Sequence, residues 1–242
     1  MKKLLLVLCL AGISLSGFSQ AVTYHYKTYK IKMGHVPDFR SAFENHVNKF
    51  HKLGLSNEVT TYVHSNSHQS EFHLSMRVGY SWAQRQAGPQ NSAEQNNNWE
   101  INILPHIEEQ TSVILVYHTN YSNSPLISDD PNPNRLILTM SMTLKFAPPQ
   151  EFWDVVAKHK KYWGKKGQSF IVLQSVTGTS TLKFTRSLRN GAKELDDTIP
   201  NREPWDELYG KGSYDQDMAI MRNYIIETDS YFLVRHPTLS SK

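Results

Sequence analysis

The chain is written twice. Sliding the 242-residue sequence by 113 positions lays Lys32–Ser67 on Lys145–Ser180 without a gap, and nine of the 36 pairs are identical. Among them are Phe39/Phe152, His46/His159, Gly54/Gly167, Val59/Val172 and Val63/Val176. Further on, Ser75-Met76-Arg77 meets Ser187-Leu188-Arg189, and Val116-Tyr117-His118 meets Val234-Arg235-His236. The hydrophobic pattern repeats in step with the identities. A repeat this long is a duplicated domain; a solenoid unit is shorter and buries its core only by stacking on copies of itself.

The duplicated part begins after an N-terminal address. Lys2 and Lys3 precede the apolar run Leu4–Leu10, and small residues offer cleavage before Gln20 or before Val22. This is the pattern of a secretory signal peptide over residues 1–21. The run is too short to span a bilayer. Leu8 stands before Cys9 where a lipoprotein signal has a small residue, so neither a lipid nor a membrane anchor is expected. The mature protein is expected in the periplasm or outside the cell. Cys9 leaves with the leader, and the rest of the chain has no cysteine. Disulfides, thiolate metal sites and cysteine nucleophiles are thereby excluded, and a hydrophobic core has to hold the fold. Losing Lys2 and Lys3 lowers the formal charge from +4 to +2. That is too near neutral for a nucleic-acid binder driven by phosphate contacts.

Each half reads as βαββαβ. In the first, Thr23–Met33 is a strand, and Pro37-Asp38 opens a helix with the stripe Phe39, Phe43, Phe50 and Leu53, stopped by Gly54. Strands follow at Val59–His64 and Phe72–Val78. A helix from about Ser92 to Glu109, kinked at Pro105, then leads to a strand over Ser112–Tyr121. In the second, Leu136, Leu138, Met140, Met142, Leu144 and Phe146 alternate with Thr139, Ser141, Thr143 and Lys145, so one face is dry and the other polar. A helix with Phe152, Val156 and Trp163 on its stripe ends at Gly167. Strands follow at Phe170–Thr177 and Leu182–Arg189, then an excursion over Asn190–Gln216 with a short helix near Pro204–Leu208. Asp217–Glu227 reads as a helix and Tyr231–His236 as the closing strand. The halves are expected at 22–122 and 135–242, joined by a linker over 123–134 that carries Asp129-Asp130-Pro131-Asn132-Pro133-Asn134.

The class is α+β, with two tandem ferredoxin-like units. Two such units in one chain resemble the dimeric α+β barrel superfamily in fused, single-chain form. The resemblance rests on topology and duplication and covers essentially the whole mature chain. It implies two antiparallel sheets facing each other, with helices on the outside. Members of that superfamily include cofactor-free monooxygenases, stress-responsive barrel proteins and haem proteins of the chlorite dismutase type. No segment carries a motif specific to one of these, so the resemblance brings no catalytic residue with it.

If helices cover the dry face of each strand, the other face looks between the sheets. That rule aims His73, Arg77 and Arg189 at a shared cavity; Tyr62 and His64 join them if Val59, Thr61 and Val63 take the dry side, and Arg235 does so on one parity of the last strand, with few acids beside them. Such a lining favours a small molecule with an anionic or carbonyl group, since arginine is a fixed bidentate donor. The leading reading is therefore a small-molecule binding protein. Two alternatives stand beside it. One is a cofactor-free monooxygenase-like or haem-using enzyme, with His73 or His64 as base or axial ligand and Arg77 or Arg189 polarising an oxygen. The other is a structural or interaction protein whose interior is filled by side chains. His46 and His159 lie on helix stripes and read as core histidines with a hydrogen-bond partner. His118 and His236 end strands and read as capping or surface groups. No spacing supports a metal site.

Overall fold

The computed structural model describes residues 22–53, 58–64, 71–77, 91–124, 136–189, 191, 193–194 and 200–242. Residues 1–21, where a leader is expected, most of the expected linker and Gly54 lie outside them. In the first half the elements are β1 (Thr23–Ile31), α1 (Val36–Phe50), β2 (Val59–His64), β3 (Glu71–Arg77), α2 (Ala93–Asn102) and β4 (Ile107–Tyr117). In the second they are β5 (Leu136–Leu144), α3 (Gln150–Lys165), β6 (Ile171–Ser175), β7 (Thr181–Leu188), α4 (Arg202–Tyr209), α5 (Ser213–Tyr224) and β8 (Ile225–Arg235).

The eight strands of the described residues join one closed antiparallel barrel in the order β1-β3-β2-β8-β5-β7-β6-β4. Each half supplies four neighbours, and the seams are β2 with β8 and β4 with β6. The duplication is visible in the bonding itself. β1 and β5 coincide under the 113-residue shift, and their register breaks fall at matching places, Lys30/Ile31 and Thr143/Leu144. A bulge kept at the same position in both copies is a built feature of the sheet.

Local signals explain most boundaries. Pro37 sits in the first turn of α1, where a missing N–H costs nothing, and Asp38 and Lys49 complement the helix ends. The α1 stripe buries Phe39, Phe43, His46 and Val47, while Leu53 lies beyond the helix and is exposed. Gly167 takes φ +67 just after α3, a left-handed position that glycine fills without strain. The Ser92 hydroxyl caps α2 by accepting from Gln95 N. α2 ends at Asn102 rather than continuing to Glu109: Pro105 has no N–H to continue the ladder, so Leu104–His106 tightens into a 3₁₀ turn. The strand that follows therefore starts earlier than the sequence pattern suggests. The expected excursion is better ordered than a loop. It contains α4, and α5 begins at Ser213. Asp206 holds the turn between them by accepting from Gly212 N (3.0 Å), Tyr214 N (2.9 Å) and the Ser213 hydroxyl (3.2 Å).

The dry face of each sheet meets its helices. Tyr29, Ile31, Phe39, Phe43, Val47, Val59 and Ile103 form the first core. Met142, Leu144, Phe152, Val156, Trp163, Phe170, Phe184 and Trp205 lead the larger second core. Beyond its last strand each half sends an arm onto the other. His118 N donates to Val172 O (3.0 Å), and His236 N to Thr61 O (2.8 Å). The Ser122 hydroxyl accepts from Val172 N (2.9 Å), and the Ser240 hydroxyl from Thr61 N (3.0 Å). Asn123 exchanges bonds with Phe170, and Ser241 with Val59, in the same manner. Tyr121 and Leu239 ride on these arms into the opposite cores.

The bonds also correct the alignment. Thr61 is equivalent to Val172 and Val59 to Phe170, two residues away from the gapless match. Likewise Tyr24 faces Arg77 while its counterpart Ile137 faces Ser187, so Arg77 and Arg189 are not equivalent positions.

Leu239 is fully buried in the first core although it belongs to the second half. Leu239→Ala should cost about 2–4 kcal/mol in urea denaturation, as for other buried leucines. Hydrogen exchange should rise at β2 and α1. Unchanged protection there would contradict the role given to the arm.

Candidate functional site

The site grows from the outer face of the second sheet. β5 sends Leu138, Met140 and Met142 toward the helices, and β7 sends Phe184 and Arg186. α3 contributes His159 and Trp163 from above; α5 contributes Tyr214, Met218 and Met221. Between these layers lies a cavity of about 240 Å³, with the exposed Arg222 and Thr228 at its rim. Its walls are mainly apolar, and methionine is an adaptable wall because its side chain is unbranched and polarisable.

Two polar groups break the apolar lining. Arg186 is 4% exposed, and its guanidinium carbon lies over the Trp163 ring, 3.7 Å from the centroid, while the group donates to Gln168 Oε1. Stacking and the hydrogen bond hold the planar fork in one orientation. His159 is enclosed by Phe170, Phe184 and Trp205, with ring centroids 5.9, 5.7 and 4.9 Å away. Its Nε2 is buried and has no hydrogen-bond partner among the described residues. Leaving such a group unpaired costs about 1–3 kcal/mol, so a native structure that keeps one calls for a reason. Burial holds its pKa down to about 4 against the opposing pull of Asp217, and the ring is neutral at pH 7. Asp217 in turn accepts from Lys158 Nζ (2.7 Å) and Trp205 Nε1 (2.9 Å), which locks α5 to α3 and α4. The excursion thus serves the site: α4 lays Trp205 against His159.

The repeat partner of His159 behaves differently. His46 is also buried, and its pKa is also pushed to about 4 by burial, but its Nδ1 meets Asn98 Oδ1 at 2.8 Å. The expected hydrogen bond is present at His46 and missing at His159 Nε2.

A haem does not suit this cavity. Pockets for drug-sized molecules run from about 300 to 1,000 Å³, above the 240 Å³ available here, and haem is larger than most such ligands. Three aromatic rings within 6 Å of the imidazole leave no room for a macrocycle beside it. Among the described residues no group of three or more His, Cys, Asp or Glu is placed to hold a metal ion.

The residues singled out from sequence lie elsewhere. Tyr62 is buried between the sheets with Ile137 and Leu233, and Arg235 stands opposite it in the β2–β8 ladder. His64 packs on Tyr231 at 5.0 Å. Lys183 Nζ donates to Tyr231 OH (2.8 Å) and to the Ser141 hydroxyl (3.3 Å). These side chains occupy the space between the sheets at that seam. The cavity described above lies between sheet and helices, and none of these side chains lines it. His73 and Arg77 are in register with Tyr62 and Tyr24, and their side chains fall outside the described residues. Arg189 is a correction: β7 ends at Leu188, and Arg189, two residues past the position equivalent to Arg77, is exposed in the following turn. His118 is more than a cap. Its Nε2 meets Gln174 Oε1 at 2.8 Å, and its ring packs on Trp153 at 5.0 Å. Arg186 was missed, although a signal existed: it is the one charge on the dry face Leu182, Phe184, Leu188 of an otherwise alternating strand.

No protein-family profile matches the sequence, and no curated protein does. Solved structures do match in fold. A candidate monooxygenase of Lactobacillus acidophilus NCFM is 9% identical with TM-score 0.54, over 92% of this chain and 96% of that one. One of Fusobacterium nucleatum subsp. nucleatum ATCC 25586 is 10% identical with TM-score 0.55, over 89% and 93%. An anthrone oxidase-like protein is 10% identical with TM-score 0.53, over 90% and 92%. The fold is that of the dimeric α+β barrel. Here both halves of the barrel belong to one chain.

The neutral buried histidines make stability depend on pH. Folded, His46 and His159 titrate near 4; unfolded, they titrate near the ordinary 6.5. Between those values the unfolded chain binds more protons, so stability falls as pH drops from about 6.5 toward about 4 and is level above. For His159 the loss should reach about 1–2 kcal/mol by pH 5, above the ordinary carboxylate range. Urea midpoints at pH 7 and pH 5 measure it. The double variant His46→Gln/His159→Gln should lose most of this slope; an undiminished slope would rule out these rings as its source.

Proposed function

We propose that this protein binds a compact, flat, mainly apolar molecule carrying one oxygen function, in the cavity between α3, α5 and the second sheet. The observation that carries the reading is the buried, unpartnered Nε2 of His159, a residue that lines an apolar space together with a pre-oriented Arg186. An apolar pocket with a few convergent polar groups is the usual form of a small-molecule site. A hydroxyl or carbonyl oxygen near Arg186 would receive a charge-assisted hydrogen bond, worth more in a water-poor site than in solvent. His159 would accept from a ligand O–H or donate to a carbonyl, according to its tautomer. The expected leader over residues 1–21 puts this binding outside the cytoplasm.

A second reading is favoured by the same histidine and by the description of the fold's relatives as monooxygenase and anthrone oxidase-like proteins. In it, neutral His159 takes a proton from an activated CH₂ group while Arg186 holds the enolate oxygen. The balance is a CH₂ plus O₂ giving a carbonyl plus water, so no outside reductant is needed. A base with so low a pKa demands an acidic C–H, and this limits the substrates to ring systems that stabilise the carbanion.

2-Naphthol and naphthalene test the binding, followed by tryptophan fluorescence. Wild type should bind 2-naphthol at least tenfold more tightly than naphthalene. Arg186→Met places there the residue type that β3 carries at the matching register position, Met76. It should erase that preference while leaving the fold intact by circular dichroism. Equal binding of the two probes, or no binding, would reject the reading. For the second reading, wild type should accelerate deuterium exchange at the CH₂ groups of 2-indanone, and His159→Gln should abolish this without loss of ligand affinity.

A further inference from the structure

The outer face of the first half holds a cavity of its own, about 120 Å³, in the layer that corresponds to the site above. Duplication would place a hydrophobic residue on the middle of its floor, and one position departs from that. Lys27 on β1 stands where β5 carries Met140. Its ammonium lies 5.8 Å from the Trp99 ring centroid, and it has no acidic partner among the described residues. A partly buried cation without a counter-charge is unfavourable unless something neutralises or solvates it. Burial accordingly lowers the Lys27 pKa.

The walls divide by chemistry. Tyr29, Phe43 and Trp99 make an aromatic side. His51 and Gln95 make a polar side, their Nε2 atoms 3.3 Å apart. His46, which also borders the space, is already bonded to Asn98 and is neutral, so it brings no competing positive charge at pH 7. The volume corresponds to about four water molecules at ~30 Å³ each. That admits a group of a few atoms and excludes a ring system.

We propose that this cavity is a second ligand site, specific for a short monocarboxylate. Its carboxylate lies against Lys27, with Gln95 and His51 as further hydrogen-bond partners, and its hydrocarbon tail lies among Tyr29, Phe43 and Trp99. A compact ammonium suits a single small anion, whereas the fork of Arg186 suits a planar group on a larger ligand. The two halves have thus diverged by exchanging one cation position each: Lys27 against Met140 in the first strand, Arg186 against Met76 in the third.

Titration with sodium butyrate and with neutral butyramide tests this, followed by ¹H–¹⁵N spectra that report the side-chain amides of Gln95 and Asn98. Butyrate should shift those signals with saturation in the millimolar range, and butyramide should bind at least tenfold more weakly. Lys27→Met should weaken butyrate at least tenfold and bring it level with butyramide, while the remaining spectrum and the urea midpoint show the fold intact. If Lys27→Met proves unfolded, the acid–amide comparison in wild type decides alone. Equal binding of acid and amide, shifts confined to other parts of the spectrum, binding of inorganic phosphate in preference to butyrate, or an unaltered butyrate affinity in folded Lys27→Met would each overturn the proposal.

Discussion

The structure depends on an exchange of hydrogen bonds between its halves. Neither half closes a barrel alone, because β2 and β6 each need an edge partner from the other copy. β8 and its arm serve β2; β4 and its arm serve β6. The arms repeat the same two backbone bonds, and Ser122 and Ser240 place their hydroxyls on the equivalent amides of Val172 and Thr61. An open strand edge is a liability for aggregation, and closure removes it. The exchange also carries Tyr121 and Leu239 across the seam, so each hydrophobic core contains a residue from the other half. With no cysteine among the described residues, this interlocking and the two cores are what hold them together.

Once the barrel is closed, its two faces have different freedoms. The inner face has to be filled from both halves at once; Tyr62, Ile137, Leu233 and the Lys183–Tyr231 pair do this at the β2–β8–β5 seam. The outer faces are independent of each other, and there the copies have diverged. Both keep the histidine on the first helix, both bury it, and both depress its pKa to about 4. In the first half Asn98 satisfies it. In the second the Asp217 carboxylate is taken by Lys158 and Trp205, and the histidine, at the wall of an apolar cavity, keeps a buried Nε2 with no partner among the described residues. The same ancestral position is a packed core group in one copy and a candidate functional group in the other.

The architecture was legible because it rests on periodicity and duplication. The alternation from Leu136 to Leu144, the stripe Phe152, Val156, Trp163 and the stop at Gly167 each express one local rule, and none depends on distant contacts. The site was less legible because it rests on small offsets. Matching identities pairs Val59 with Val172, but the hydrogen bonds pair Val59 with Phe170, since the connection from helix to second strand is two residues shorter in the second half. That offset turned Arg77 and Arg189 into false equivalents and placed Arg189 inside rather than in an exposed turn. Arg186 escaped notice because its face was assigned to the core; a charge there is tolerated only through its stack on Trp163 and its bond to Gln168, and both are tertiary contacts. The unpartnered state of His159 was likewise invisible, since it depends on where Asp217 and Trp205 come to rest.

The central claim is that the working space of this barrel lies between helices and sheet in the second half, not between the sheets. A crystal structure of the protein with 2-naphthol bound tests it most directly. The account predicts density for the ring between Met140, Met218 and Phe184, with its oxygen within hydrogen-bond distance of the Arg186 guanidinium or His159 Nε2. Density among Tyr62, Lys183 and Tyr231 between the sheets would contradict it.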